Sequence, residues 1–417
     1  MDASHESQIT RAPHVRRLAG RALWIVSTCC IAVATLLPSA QRFSGDPWCI
    51  VCGETGSVDV LLNILLFAPF GAGMALAGVP WRRAAGIVVG FTVAIEVLQF
   101  AVIPGRDASL GDILANSVGG IAGLVVGTHI DALLWPAPRA ARQLVAAWTV
   151  VWTLVQLTAA AALLPSDTDR GLVGQIGRAL GGRPRYPGRV LATTIDSAPI
   201  PNTRFADPSH ARHALARGAV VDVTVVPPDT APWWRAPIVR IVDDSLREAL
   251  LVGQDGADLV FGVGTRAAAM RLRPLFFVAH DVFPLANADA QTPDTLRIQA
   301  TYATNGVMLR VASREHGARE VRLAVTHSAG WRLIFPWPVF DDGSLRNAIA
   351  NVLWIVALLT PGAYWAARAG HVSTRGAGAV RALAVTALLA AIGLAAVPWL
   401  LGVGVPPVWS VAEVLAR

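Results

Sequence analysis

Charge is what this sequence has least of. Of its 417 residues only 15% are Asp, Glu, Lys or Arg, while 54% are hydrophobic. A soluble domain carries about a quarter charged residues, so this composition excludes a soluble chain and implies several membrane spans. Cysteine is scarce too, at four residues. Cys29 and Cys30 fall inside an apolar run and read as packing residues, which leaves Cys49 and Cys52 as a lone CxxC. Also lacking are a glycine-rich nucleotide loop, an HExxH helix and a nucleophile elbow. Basic residues exceed acidic ones by 35 to 28, or +7, but much of the excess sits in short stretches beside apolar runs. It reports on membrane orientation, and no nucleic-acid partner is expected.

Seven apolar runs lie near 20–38, 58–79, 83–103, 110–134, 142–164, 344–367 and 377–401. Each has roughly the twenty residues that cross a bilayer core. Arg11, Arg16 and Arg17 precede the first run, as they would in a signal peptide. Its end, Pro38-Ser39-Ala40, puts proline where a cleavage site needs a small residue, so a retained helix is expected. Arg82 and Arg83 separate runs two and three, Arg139 and Arg142 runs four and five, and Arg368, Arg375 and Arg381 runs six and seven. With the amino terminus inside, every one of these falls on the cytoplasmic face. The expected organisation is a disordered cytoplasmic tail at 1–19 and a five-helix bundle at 20–164. An extracytoplasmic domain at 165–342, two further helices at 343–402 and a short tail at 403–417 follow.

Polar residues recur at helical spacing where three of these runs end or begin. Asp59 and Asn63 are four apart, Glu96 and Gln99 three apart, and Asp112 and Asn116 four apart, with Arg106 in the Pro104-Gly105-Arg106-Asp107 connection. A carboxylate in an apolar span costs several kcal/mol unless paired or wet, so groups at one depth imply one cluster. The order Asp59-x-x-x-Asn63-x-x-x-Phe67-x-Pro69-x-Gly71, Glu96-x-x-Gln99, Arg106, Asp112-x-x-x-Asn116-x-x-Gly119 resembles the signature of the VanZ-like membrane protein family. The resemblance covers about 27–134. That family is named for a protein that raises resistance to the glycopeptide teicoplanin, so the resemblance implies an envelope setting and a site rather than a reaction. One reading makes Asp59, Asn63, Glu96, Gln99, Arg106, Asp112 and Asn116 a pocket for a polar head group at the outer leaflet. The plainer reading has Arg106 neutralise Asp112 or Glu96 while the amides stitch helices together. Two or three acids around one arginine exceed what pairing requires, which favours the pocket. Two glycine ridges, Gly119-x-x-x-Gly123-x-x-x-Gly127 and Gly86-x-x-x-Gly90, are expected to let helix backbones approach closely.

The segment 165–342 is written differently. Short β-branched runs at 218–226, 237–242, 249–252, 259–263, 295–302, 307–311 and 320–326 are separated by turn residues. Gln254-Asp255-Gly256 and Thr304-Asn305-Gly306 read as hairpin turns, and strands at this spacing make a β-sandwich or barrel. A strand ending in Asp243-Asp244, the hairpin LLVGQDGADLVFGV and the pair LRIQATYATNGVMLRVA resemble laminin-G and concanavalin-A-like lectin domains, which implies a jelly-roll sandwich. Trp233 and Trp234, and Trp331 with Trp337, could stack on sugar rings, the first two being the glycan-contact candidates; core or membrane-belt roles are the commoner use of such residues. Asp243-Asp244 suits calcium or, more simply, an acidic turn. His210, His213, His280, His316 and His327 lack ligand spacing and read as surface residues. For Cys49 and Cys52 a disulfide fits the oxidising face better than zinc, which needs two more ligands, or a redox dithiol, which needs a thioredoxin-like setting.

The chain thus reads as a polytopic α-helical membrane protein of about seven transmembrane helices with an inserted all-β sandwich. Its expected partner is a membrane lipid or lipid-linked envelope precursor, with a glycan for the outer domain. No cofactor and no metal are expected. An interfacial enzyme using Glu96 or Asp112 as acid or base, and a lipid or solute translocator, are the rival classes. Orientation is testable by labelling intact cells with an impermeant thiol reagent, on a background lacking the native cysteines. A cysteine at Ser166 should label and one at Ala140 should not; the reverse pattern would invert the topology.

Overall fold

The computed structural model describes residues 3–38, 47–106, 108–166, 170–177, 185–228, 232, 235–283, 295–303, 306–313, 317–335, 339–341, 345–370 and 375–403. Seven of its helices are long and apolar enough to cross a membrane. Contacts divide the chain into two compact units, Met1–Ala141 and Arg142–Arg417.

The first unit is helical: α1 (Ala3–Leu36), α2 (Gly56–Ala77), α3 (Trp81–Ala101), α4 (Leu110–Thr128) and the short α5 (Ile130–Leu134). The stretch expected to be a disordered tail is helical from Ala3. It has no glycine before Gly20, and hydropathy, on which the expectation rested, is blind to helices made of polar residues. The Gly119, Gly123 and Gly127 ridge lies on α2: a Cβ at Gly119 would collide with Ile64, one at Gly123 with the carbonyl of Ala68, and one at Gly127 would stand 2.8 Å from Ala72 and Ala75. On the facing helix Gly71 meets Gly120 in the same way. Such backbone proximity maximises dispersion contact, which drives helix association where no water is expelled. The second ridge does not behave so. Gly86 and Gly90 are exposed and meet nothing within 4 Å, because α3 turns Val88 rather than its glycines toward α4. Ile31, Phe67, Phe70, Met74, Ile95 and Leu124 fill the core, with the Phe70 and Phe91 rings stacked at 5.0 Å.

The helix α6 (Pro138–Leu163) spans the division, with its first turn in the first unit and the rest in the second. Twelve strands follow: β1 (Leu172–Ile176), β2 (Arg189–Ile195), β3 (Ala198–Pro199), then, after α7 (Ser209–Arg217), β4 (Ala219–Val226), β5 (Ala236–Asp243), β6 (Glu248–Asp255) and β7 (Asp258–Val263). After α8 (Arg266–Ala269) come β8 (Phe276–Ala279), β9 (Leu296–Ala303), β10 (Gly306–Ser313), β11 (Gly317–Ala324) and β12 (Val339–Asp341). They form two six-stranded sheets, ordered β1-β5-β6-β7-β8-β12 and β11-β10-β9-β4-β2-β3, antiparallel except where β12 joins β8. In the second sheet β4 alternates, with Val221, Val223 and Val225 buried and Asp222 and Thr224 less so. In the first, β5 to β8 are buried on both faces: Phe261 and Phe277 lie on one, and Leu251, Val260, Phe276 and Val278 form a second cluster on the other. Every strand expected from the sequence is present. Unforeseen were β1, which a glycine interrupts, β3, β8 and β12, which are short, and β2, whose Leu191 is exposed and spoils the alternation.

This domain is stitched to the spans of its own unit. On entry, Ser166 donates its N–H to the Gly264 carbonyl and Arg266 donates to Leu164. On exit, a 3-10 turn at His327–Leu333 is buried throughout and acts as a wedge. A Cβ on Gly330 would stand 2.9 Å from Ala159 of α6. The indole N–H of Trp331 donates to Asn351 of α9 (Leu345–Arg368). The last span is α10 (Arg375–Ala390), a π-helical stretch (Ala391–Ala396) and α11 (Val397–Leu401). His327 reaches that π-helical stretch, with Nε2 2.6 Å from the Gly393 carbonyl. Expected at the surface, His327 is fully buried, in an apolar-flanked turn that hydropathy does not separate from a loop; Trp331, for which the core was one of the expected places, is nearly so.

Burial pushes the His327 pKa below its ordinary 6.5, against the opposing pull of the Gly393 carbonyl. The unfolded chain therefore takes up this proton first as pH falls. The stability His327 contributes is complete above about pH 6.5 and is lost as pH drops toward the folded value. Thermal melting from about pH 7.5 to about pH 5.5 should fall more steeply for the parent protein than for His327→Gln. Equal slopes would remove His327 from the acid sensitivity.

Candidate functional site

The site is built at the amino end of α4. The first N–H groups of a helix have no partner within it and must find acceptors outside. Leu110 donates to the Pro47 carbonyl at 2.9 Å and Gly111 to the Cys49 carbonyl at 3.0 Å. The loop supplying these carbonyls carries the disulfide between Cys49 and Cys52. It lies so close that any Cβ on Gly111 would collide with the Ile50 carbonyl. The next amide, Asp112 N–H, donates to Ser109 Oγ at 3.0 Å, making Ser109 the N-cap.

That cap orders two acids. The Ser109 hydroxyl donates to Asp112 Oδ2 at 3.0 Å while its own N–H donates to Glu96 Oε2 at 2.9 Å. Asp112 Oδ1 accepts from Asn63 Nδ2 at 2.6 Å, which ties α2 to α4. Glu96 is 5% exposed, and Asp112 and Asn63 are half-buried. Ser109 was missed from the sequence, although Ser109-x-x-Asp112 before an apolar run is the spacing of a capping box.

The other expected members divide. Gln99 donates to the Thr35 carbonyl at 2.8 Å, and Arg106 donates to the carbonyls of Leu37 at 3.0 Å and Ala34 at 2.9 Å. Both therefore finish the carboxyl end of α1, where carbonyls lack helical partners and a cation is favoured. Among the described residues no direct ion pair joins Arg106 to Glu96 or Asp112: the guanidinium caps α1, and its charge reaches Asp112 only through space. Asp59 is exposed, one turn from Asn63. Asn116 is 2% exposed and its Oδ1 has no hydrogen-bond partner. A second unforeseen residue, Thr92, is fully buried with its hydroxyl likewise unpartnered. Its position one turn before Glu96 was the available signal.

In the β domain, Trp233, Trp234 and Trp337 lie outside the described residues. Asp243 accepts from the N–H groups of Ser245 and Arg247 and lies 3.7 Å from Arg170, and Asp244 pairs with Arg204. These carboxylates are thus engaged by arginine and backbone. No cluster of metal-ligating side chains occurs among the described residues. Gly262, at the end of the QDGADLVF stretch, makes room for the Phe276 ring, 3.0 Å from where its Cβ would be.

These features define a multi-pass membrane protein that carries a two-sheet β domain and gathers acids and amides at one end of three spans. Residues 24–131 match the model of the VanZ/LLP1 family. The matched stretch contains the whole polar network and ends before α6, so the likeness concerns the first unit alone. No curated protein and no solved structure matches the chain.

The hydrogen bonding makes a double-mutant cycle decisive. Asn63→Ala and Asp112→Ala should couple by about 1 kcal/mol or more in thermal stability, since they share a bond. Arg106→Gln and Asp112→Asn, which do not, should be additive within about 0.5 kcal/mol. Strong coupling of the second pair would restore the ion-pair reading.

Proposed function

We propose that this protein recognises a lipid or lipid-linked head group at the outer leaflet of the cell membrane, through the cluster around Glu96 and Asp112. The observation that carries the reading is the oriented pair of acids, Glu96 buried and Asp112 half-buried, held by Ser109 and Asn63 at the ends of three spans. Helix stitching alone does not need it: apolar packing in place of a buried charge is often neutral or stabilising. The orientation supporting the reading is the one set by the arginine-rich loops, which puts the α3–α4 connection and the β domain outside. On this reading the β domain adds a second contact, with the glycan portion of an envelope precursor.

Recognition is preferred over its rivals on chemical grounds. The Ser109 hydroxyl, the nearest candidate nucleophile, already accepts from one group and donates to another. A translocation path would need the polar track to continue inward, but one turn below Thr92 the Val88 side chain closes on Gly120. The likeness to the VanZ/LLP1 family supports an envelope role, and lowered glycopeptide susceptibility is the phenotype it suggests.

The test is native mass spectrometry of the protein released gently from its membrane. One lipid species should be retained by the parent protein, and its occupancy should fall about tenfold in Glu96→Gln, as expected for a lost charged hydrogen bond of 1.5 kcal/mol or so. Absence of any retained lipid, or equal retention by the variant, would end this reading.

A further inference from the structure

The head group itself can be specified from the donors and acceptors that remain. We infer that the cluster takes a lipid head group bearing a primary ammonium; the inference rests on the head-group reading above. Val88 of α3 touches Gly120 of α4, and Glu96 bonds to Ser109, so the antiparallel helices run in fixed register. Helical spacing then sets Thr92 and Asn116 one turn outward from the Val88–Gly120 contact, and Glu96 and Asp112 a further turn out. The seam thus holds four polar groups in two layers.

Among the described residues each carboxylate accepts from neutral donors alone, namely the Ser109 N–H, the Ser109 hydroxyl and the Asn63 amide. The charge of Arg106 acts on Asp112 only through space, because its guanidinium donates to the carbonyls of α1. No lysine occurs anywhere in the sequence, so no side chain can supply an ammonium. Behind the acids, Asn116 Oδ1 and the Thr92 hydroxyl are buried at 2% and 0% exposure without a partner. An orphaned buried acceptor costs about 1–3 kcal/mol, which a bound donor would recover. What the seam lacks is therefore a cation in hydrogen-bonding contact with its acids, together with donors for its inner layer.

A primary ammonium brings three donors, one positive charge and no acceptor. A phosphate would bring negative charge to two carboxylates and no donor for the amide oxygen. A quaternary ammonium has the charge but no N–H. The layering also gives the ammonium two sets of partners: the acids in the outer layer, and Asn116 with Thr92 in the inner one.

The experiment uses the full chain in nanodiscs of phosphatidylcholine, titrated with short-chain phosphatidylethanolamine, phosphatidylcholine and phosphatidylglycerol, and separately with free ethylamine. The ethanolamine lipid should bind about tenfold tighter than either other lipid, and Asp112→Asn should remove that preference. Thr92→Val leaves both charges in place and should weaken the ethanolamine lipid about three- to tenfold without affecting the choline lipid, which covers the case of an unstable Asp112 variant. Tightest binding of the glycerol lipid, abolished by the same variants, would overturn the ammonium while leaving the head-group site intact. Ethylamine binding as tightly as the lipid would overturn the lipid source. Binding indifferent to every cluster variant would overturn both the inference and the function it rests on.

Discussion

The polar architecture of the first unit depends on how the amino end of α4 is finished. Three successive amides there find acceptors in Pro47, Cys49 and the Ser109 side chain. A surface N-cap is worth about 1 kcal/mol. Ser109 does more than that, because the same residue also holds Glu96 and Asp112. Removing its hydroxyl would free a helix amide and leave Asp112 short of one donor, at about 1–3 kcal/mol for every group stranded, while the backbone N–H would still serve Glu96. The disulfide loop belongs to the same construction. Its carbonyls are useful only at a fixed height above α4, and Gly111 is the residue that lets them come that close.

The second unit solves a related problem with the opposite polarity. Inside its helices the carbonyls need attention, because the last span changes from α to π register at Ala391–Ala396 and its hydrogen-bond ladder shifts there. Donors arrive from neighbouring elements: the Trp152 indole of α6 at the Leu389 carbonyl, 2.8 Å away, and His327 of the wedge at Gly393. A Cβ on Gly393 would stand 2.5 Å from the Trp152 ring, so the irregular turn and the tryptophan fit one another. The β domain is consequently fastened to the spans of its unit at an irregular turn, where a stray carbonyl can be taken up.

Sequence reading recovered what depends on period and composition. All seven spans appear within a few residues of their expected places, except that α1 starts early, and the β-branched runs became strands. The polar positions along α2, α3 and α4 were legible because helical spacing puts them on shared faces. Partner choice was not. Nothing local says that Arg106 reaches back some seventy residues to α1 rather than a few residues to Asp112. Charge pairing was the natural expectation, but the open carbonyls at a helix end, with the helix dipole behind them, compete for the same guanidinium. Gly86 and Gly90 failed for a similar reason: spacing identifies a ridge, whereas the rotation of α3 decides which face meets a neighbour.

Apolar packing and polar geometry are therefore not separable here. Asn63 can reach Asp112 only because α2 and α4 lie nearly backbone to backbone, and that distance is set one residue further along α2, where Ile64 meets Gly119. A hydrogen bond of 2.6 Å tolerates little displacement, since the interaction is weak beyond about 3.5 Å. Even a single methyl group at Gly119 would push α2 outward and detach Asn63 before it disturbed the aromatic core around Phe67 and Phe70. The glycines of α4, which carry no chemistry of their own, thus decide whether Asp112 keeps its amide donor. The polar residues of α2 and α4 can work as one site because the small-residue seam between those helices holds them in register.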